Sequence, residues 1–358
     1  MENMVGRPSL WCGRRVLVTG HTGFKGGWLS LWLQNLGAYV TGYSLPPPTD
    51  PSFFCKAHVG EGMNSLHGNI ADLGAVESAF QTNRPELVFH LAAQPLVRLS
   101  YTDPAATYAT NVMGTVNILE AARRTNSVRA VVVVTSDKCY ENRNWIWGYR
   151  ETEPMGGHDP YSSSKACAEL VTAAYRRSFC GEHGAPQIAS ARAGNVIGGG
   201  DWAIDRLIPD FVRAIDRQDA VRIRSPDAIR PWQHVLDALE GYLCLAEHLL
   251  EHGSNFADAW NFGPADGDLT VADVVNRITA LWGEGARWEP DERQHPHEAY
   301  ALRLDCSKAR ALLRWRPRLT IDDALAWTVE WYKASQRGKD MHRFSLKQII
   351  KFQQILAS

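Results

Sequence analysis

Tyr161 and Lys165 stand four residues apart in Tyr161-Ser162-Ser163-Ser164-Lys165. On a helix that spacing puts a phenol and an ammonium one turn apart on the same face. A nearby cation lowers a tyrosine's pKa from about 10, so the phenol can take a proton from a substrate hydroxyl while a hydride leaves the same carbon. The pair alone would also fit an ordinary amphipathic surface helix. A second cluster, Ser136-Asp137-Lys138-Cys139-Tyr140, follows directly on the apolar run Val131 to Thr135. Such a run reads as a buried strand, and the C-terminal ends of strands in an open parallel sheet face the ligand crevice. A hydroxyl, a carboxylate and an ammonium are thus placed for chemistry. The plain alternative is a surface Asp-Lys pair at a strand end.

A third group supplies the cofactor. Gly20-His21-Thr22-Gly23-Phe24-Lys25-Gly26 lies between the run Arg15 to Thr19 and the helical pattern Trp28 to Leu33. Glycines there permit a tight turn, close approach of the backbone to a pyrophosphate and close helix-to-strand packing, with the helix N-terminus facing the anion. No Gly-Lys-Ser/Thr follows, which rules out a P-loop. The expectation is a dinucleotide held by Gly20, Thr22, Gly23, Phe24, Lys25 and Gly26. The second strand ends at Ser44 with no acidic residue, so the adenine ribose contact falls to Ser44 or a neighbour, or binding is weak. NAD is preferred because no Arg adjoins Ser44 to meet a 2′-phosphate; NADP is the alternative. Asp72, with Leu73, either meets the adenine amino group or caps a helix.

The elements that must position these groups alternate strand and helix. Strands are expected at Arg15 to Thr19, Tyr39 to Tyr43, Ser65 to Gly68, Leu87 to Leu91, Ala130 to Thr135 and Gln187 to Ala191. Helices are expected at Trp28 to Leu33, Ala75 to Thr82, Pro104 to Arg124 and Tyr161 to Phe179. Several strands are apolar throughout, as in a parallel sheet covered on both faces. The predicted fold is α/β: a Rossmann-type doubly wound parallel sheet with a smaller, interleaved α/β substrate-binding domain. Residues 12–195 with about 232–262 form the cofactor domain, 196–231 with 263–335 the smaller one, and 336–358 a helical extension. Helical patterns at His234 to Leu250, Val271 to Leu281, Lys308 to Leu313 and Ile321 to Lys333 belong to this second half. The last pattern, Phe344 to Leu356, is read as a surface for a neighbouring subunit.

Composition excludes several classes. Of 358 residues 45% are hydrophobic and 22% charged, enough to bury a full core and too few charges for a disordered chain. Lys plus Arg number 38 against 39 Asp plus Glu, so no global field draws the chain to nucleic acid or an anionic membrane. Met1 to Arg15 is too polar for a signal peptide, and no run is long enough to span a bilayer. Seven scattered cysteines without a C-x-x-C point to reduced thiols in the cytoplasm. His295 and His297 lack ligand partners at metal spacing, so no metal is expected.

Thr19 with Gly20 to Gly26, His90-Leu91-Ala92-Ala93-Gln94, Asn111-Val112-Met113-Gly114-Thr115 and Tyr161 with Lys165 resemble the extended short-chain dehydrogenase/reductases that act on nucleotide sugars. The resemblance runs from about residue 12 to 335. It implies bound NAD, with Leu91, Ala92, Ala93, Gln94, Asn111, Tyr161 and Lys165 completing its site. It implies that Ser136 shares the sugar's 4-hydroxyl with Tyr161, with Gln94 as a further sugar contact. It also implies a homodimer in which Pro104 to Arg124 and Tyr161 to Phe179 build a four-helix bundle, a homotetramer being the alternative.

Within the family, Ser136-Asp137-Lys138 resembles the Thr-Asp-Glu segment of thymidine-linked 4,6-dehydratases. Lys in place of Glu resembles the cytidine-linked branch, as does Gly198-Gly199-Gly200-Asp201-Trp202. That implies 4,6-dehydration of CDP-glucose in deoxysugar biosynthesis: Tyr161 takes the 4-hydroxyl proton, Lys138 the proton at carbon 5, and protonated Asp137 assists loss of the 6-hydroxyl. Burial must then lower Lys138 from about 10.4 and raise Asp137 from about 3.9. A simple salt bridge would do the reverse, leaving Lys138 to stabilise an enolate and Asp137 to act through water. A 4-epimerase and a non-catalytic dinucleotide-binding scaffold are the competing readings.

For the nucleotide end, Asn195 and the Arg230-Pro231-Trp232 segment resemble the family's diphosphate contacts. Arg230 is placed first at the pyrophosphate, because its forked donors match phosphate oxygens, and Arg206 behind it. Asp201 is a further substrate contact, Trp202 either stacks on the base or lies in the core, and Arg293 and Tyr300 are outer candidates. The six arginines between Arg206 and Arg230 could otherwise form a solvated helix face.

Overall fold

The computed structural model describes residues 10–181, 184–265, 269–283, 285–293 and 299–358; His295 and His297 lie outside the described residues. Seven strands form its main sheet: β1 (Arg15–Thr19), β2 (Tyr39–Ser44), β3 (Asn64–His67), β4 (Leu87–His90), β5 (Ala130–Val134), β6 (Gln187–Ala193) and a last strand, Ala259–Phe262. All are parallel, and their order is Ala259–Phe262, β6, β5, β4, β1, β2, β3. The chain winds outward from β1 through β2 and β3, then crosses back so that β4 lies on β1's other side. That reversal opens a crevice at the strand ends, where a ligand belongs. It is pinned by Thr19, whose Oγ1 meets His90 Nδ1 at 2.7 Å and accepts the amides of Leu91 and Ala92 at 3.1 Å.

The valine run explains how the sheet is buried on both sides. Val132 and Val134 join Val18, Phe89 and the first helix (Phe24–Asn35) in one core, while Val131 and Val133 join Leu17, Val88 and Ile118 in another. The long helix expected from Pro104 is interrupted by a π turn at Ala109–Met113, between Pro104–Tyr108 and Gly114–Arg123. The extra residue turns Asn111 inward, where it is 2% exposed. In the second half, Asn195–Ile197 pairs with Trp232–His234, Val221–Ile223 with Trp288–Pro290, and Ile229–Arg230 with Leu269–Thr270.

The expectation that Phe344 to Leu356 faces a neighbouring subunit is corrected. Helix Met341–Ala357 packs on its own chain: Phe352 meets Trp32 edge to face at 5.7 Å, Trp331 Nε1 donates to Ser345 Oγ at 2.9 Å, and Gln348 Nε2 donates to the Trp327 carbonyl at 2.9 Å. It is the cover for the indole-rich faces of the first helix and of Ile321–Gln336. Among the described residues no helix is long and apolar enough to cross a membrane.

Candidate active site

The glycine turn shows three different needs. Gly20 has φ +75°, and a Cβ there would lie 2.7 Å from the Ala92 amide; one at Gly26 would lie 2.1 Å from the Gly20 carbonyl. Both are fixed by backbone crossing backbone. Gly23 differs: a Cβ would meet only the Gly20 carbonyl, at 3.3 Å, and would otherwise fill open space. The first helix starts at the next residue with no side-chain cap, so its N-terminal amides remain for an anion. This cradle suits a dinucleotide pyrophosphate. Gly23 has φ −80°, which alanine tolerates, so Gly23→Ala should fold normally but bind NAD at least about tenfold more weakly. Gly26→Ala should instead lower the melting temperature. Thermal melts and a fluorescence titration with NAD separate the two outcomes.

Around the turn several expected contacts are already committed. Thr22 Oγ1 meets Ser44 Oγ at 2.8 Å and donates to the Leu45 carbonyl at 2.9 Å, tying the turn to the end of β2. Asp72 takes the capping role: its carboxylate accepts the Ala75 amide at 3.0 Å, ahead of the helix that opens with Leu73. Gln94 and Asn111 are bonded to each other. Asn111 Oδ1 accepts the Gln94 amide at 2.8 Å, its Nδ2 donates to the Gln94 carbonyl at 3.0 Å and to Ser164 Oγ at 2.8 Å, and Gln94 Nε2 donates to Thr107 at 2.9 Å. Their amides hold the loop after β4 against helix Pro160–Phe179 and do not line the cleft.

A cleft of 310 Å³ runs from Phe24, Lys25, Leu91 and Ala93 past the end of β5 to the second half of the chain. Tyr161 and Lys165 reach it from helix Pro160–Phe179, whose start is set by Pro160 and by Asp159 accepting the Ser162 amide at 2.9 Å. Ser136 starts the short turn Asp137–Cys139: its Oγ accepts the Lys138 amide at 3.2 Å and donates to Asp137 Oδ1 at 3.0 Å. Ser136 and the Tyr161 phenol line the same cleft. The geometry corrects one electrostatic expectation. Burial pushes Tyr161 up to about 12, partly opposed by Ser136. Lys165 donates to the Val134 carbonyl at 3.3 Å, and burial brings its ammonium down to about 8. Without a further cation the phenol keeps its proton.

Asp137 is 3% exposed, and its Oδ2 has no hydrogen-bond partner. Burial raises its pKa against the opposing pull of Lys138, Ser136 and Arg230. Gly194 leaves room for that oxygen, since a Cβ there would come within 3.0 Å of it. Lys138 lines the same cleft and is half-buried. Lys25 is brought down to about 7 by burial, then by Lys165 and Arg206.

At the far end Asn195, Arg206 and Arg230 line the cleft. Arg230 is anchored by donation to the carbonyls of Ile229 at 2.8 Å and Tyr300 at 3.2 Å. Tyr300 thus contributes its backbone, while its side chain is exposed. Asp201 also lines the cleft, but its carboxylate is occupied by Arg206 at 2.8 Å and by the Ala203 amide at 3.1 Å. Trp202 is core-facing, edge to face with Trp331 and Tyr332 at 5.5 and 5.7 Å. Arg293 is exposed and doubly bonded to Asp291 at 2.8 and 2.7 Å, outside the cleft lining. Arg224, one of the six arginines, and Arg98, which was not anticipated, also line the cleft, both drawn to Asp205 at 3.3 and 3.1 Å. The only sequence signal of Arg98 is its place just after the β4 loop.

A dinucleotide turn, a Ser-Tyr-Lys constellation on a seven-stranded parallel sheet and an arginine-lined extension define a class. The chain belongs to the NAD dependent epimerase/dehydratase family, which matches it over residues 16–261. It is 53% identical over 347 residues to the CDP-glucose 4,6-dehydratase of Salmonella typhimurium, covering 95% of this chain and 96% of that one. Its fold is similar to that of a UDP-glucose 4-epimerase from Thermotoga maritima solved with UDP-glucose (TM-score 0.78, 24% identity, 90% and 99% of the two chains). It is similar likewise to a dTDP-glucose 4,6-dehydratase from Bacillus anthracis solved with NAD (TM-score 0.75, 21% identity, 91% and 99%).

Proposed function

We propose that this protein is a CDP-glucose 4,6-dehydratase, which converts CDP-glucose to CDP-4-dehydro-6-deoxyglucose and water with NAD as its cofactor. The observation that carries the reading is the buried Asp137 beside Lys138 in the cleft that holds Ser136, Tyr161 and Lys165. A 4-epimerase needs only hydroxyl, tyrosine and cofactor. Elimination across carbons 5 and 6 needs one more acid and one more base, and this turn supplies both types. The extensive identity to the Salmonella enzyme supports the cytidine-linked substrate.

The Gly20 to Gly26 turn would hold the pyrophosphate of NAD, with Ser44, Leu91, Ala93 and Lys165 along the rest of it. Bound NAD would supply a hydride acceptor, then a hydride donor, and a positive charge. With the cofactor's positive charge added to that of Lys165, Tyr161 would take the 4-hydroxyl proton as a phenolate while Ser136 holds that oxygen. The ketone would acidify carbon 5, Lys138 would remove the proton there, and Asp137, whose pKa burial raises, would give a proton to the departing 6-hydroxyl. Lys138 then returns a proton to carbon 5. Ser136, bonded to Asp137 and lining the cleft with Tyr161, would offer a path by which the proton gained at one end resets the other. Asn195, Arg206 and Arg230 would hold the diphosphate, with the smaller domain (196–231 with 263–335) closing over the nucleotide.

The test is incubation with CDP-glucose and NAD in deuterated water. The expected product is the 4-keto-6-deoxy sugar labelled at carbon 5; a galactose product sinks the reading. Parallel reactions with UDP- and dTDP-glucose settle the base. For assembly, a homodimer through the Pro104 to Arg124 and Pro160–Phe179 helices is supported by exposed Met113 and Leu170, 53% and 59% accessible in the single chain. Seven unpaired cysteines support a cytoplasmic setting.

A further inference from the structure

Glu169 lies one turn beyond Lys165 on helix Pro160–Phe179, a position that would pass for a solvent-facing ion pair, yet it is 3% exposed. Its carboxylate accepts three bonds: from Thr135 Oγ1, from Ser190 Oγ at 2.7 Å and from Arg192 Nη2 at 2.8 Å. Arg192, on β6 and 4% exposed, continues the chain. Its Nη1 donates to the Tyr140 hydroxyl at 2.8 Å and to the Glu151 carbonyl at 3.1 Å, and Tyr140 donates to Asn261 Oδ1 at 2.7 Å. Thr135 and Tyr140 are the residues on either side of Ser136 to Cys139. One buried ion pair therefore bridges the two ends of the turn that carries Ser136, Asp137 and Lys138.

Such a pair is a poor way to stabilise a fold. Desolvating both charges offsets most of their attraction, and an apolar pair of the same shape often serves stability as well. What it offers instead is direction: several bonds of fixed geometry to two short segments that a greasy contact would let slide. We propose that Glu169 and Arg192 are positioning residues for the dehydratase reaction, a staple that fixes the catalytic turn against Tyr161 and places a carboxylate behind the Lys165 ammonium. The inference rests on the function proposed above. Lys165 is anchored to Val134, the residue before Thr135, so staple and ammonium share one support. The groups that act on that ammonium are Glu169 on its own helix, Cys139 on the turn, Lys25 on the first helix and His90 at the end of β4. Of these Glu169 is the strongest influence raising Lys165 against its burial.

The decisive variant removes both charges together, Glu169→Gln with Arg192→Met, so that neither is left buried alone. The expected melting temperature is close to the parent's, with kcat for CDP-glucose down about 10- to 100-fold and KM changed less than about threefold. The alkaline limb of the pH–rate profile should move down by about one pH unit. In the free protein, the lysine ε-carbon resonance missing from Lys165→Arg should titrate lower by the same amount. Thr135→Val keeps both charges and should lower kcat severalfold with no shift in either titration. A double variant with parental kcat and parental pH profile overturns the proposal. Should that variant not fold, unchanged kcat in Thr135→Val does so instead. A parent that leaves CDP-glucose untouched overturns the function itself, and the resonance titration still reports on the staple.

Discussion

Tyr161→Phe is expected to lower kcat for CDP-glucose by about 10²- to 10⁴-fold, the usual share of a positioned acid–base group, with KM changed less than about threefold. Tyr161 is 8% exposed and lines the cleft with Ser136, so phenylalanine fills the same space and loses only the proton-transfer atom. Ser136→Ala should cost less, since it removes one bond to the sugar's 4-hydroxyl and leaves the phenol. The pH dependence has a definite sign. Tyr161 is raised, so the fraction of phenolate, and with it the parent rate, grows as pH rises. Lys165, lowered to about 8, is charged below that pH and neutral above it. Its charge favours the phenolate, so the parent rate should turn downward as pH passes about 8. In Tyr161→Phe the rising limb disappears. A kcat profile for parent and variant checks both limbs; a rising limb that persists in the variant assigns the proton transfer to another group.

Much of the frame was legible because buried parallel strands advertise themselves. Val131 to Val134 can only be a strand covered on both faces, and the glycine turn between β1 and the first helix permits few other readings. Legibility failed where a residue's partner lies far along the chain. Gln94 and Asn111 have the right types for ligand contacts, and only the inserted residue of the π turn reveals that they face each other. Periodicity of 3.6 residues does not register such an insertion. Glu169, four residues after Lys165, resembles the commonest surface pair on a helix; Ser190 and Arg192 on β6 make it a buried one. Trp202 stayed open between base and core, and the last helix was misplaced, for a related reason. An indole or an amphipathic face states that something will cover it, and the tertiary fold alone decides what. The Tyr161 expectation erred in balance: burial outweighed every neighbouring charge, and depth of burial is not written locally.

Lys138→Met should abolish product formation while sparing the first oxidation, so that reduced cofactor accumulates on the enzyme and is read by its near-ultraviolet absorbance. Lys138 is half-buried at the cleft wall, and an apolar chain of similar length there should leave the melting temperature unchanged. Loss of a required base predicts a fall of at least about 10²- to 10⁴-fold in elimination. Retained elimination removes Lys138 from the mechanism. Lys138→Arg then separates base from stabiliser, because a guanidinium keeps the positive charge and does not give up its proton. If Lys138 only stabilises the enolate, arginine restores a substantial part of the rate and deuterium still enters carbon 5. If Lys138 is the base, arginine is as inactive as methionine. Asp137 makes the base reading the expected one. An ammonium held in a dominant salt bridge would keep its partner carboxylate ionised, whereas burial raises the Asp137 pKa despite the attraction of Lys138. Asp137→Asn should therefore slow elimination while leaving carbon 4 oxidation intact, and Lys138→Arg should not rescue.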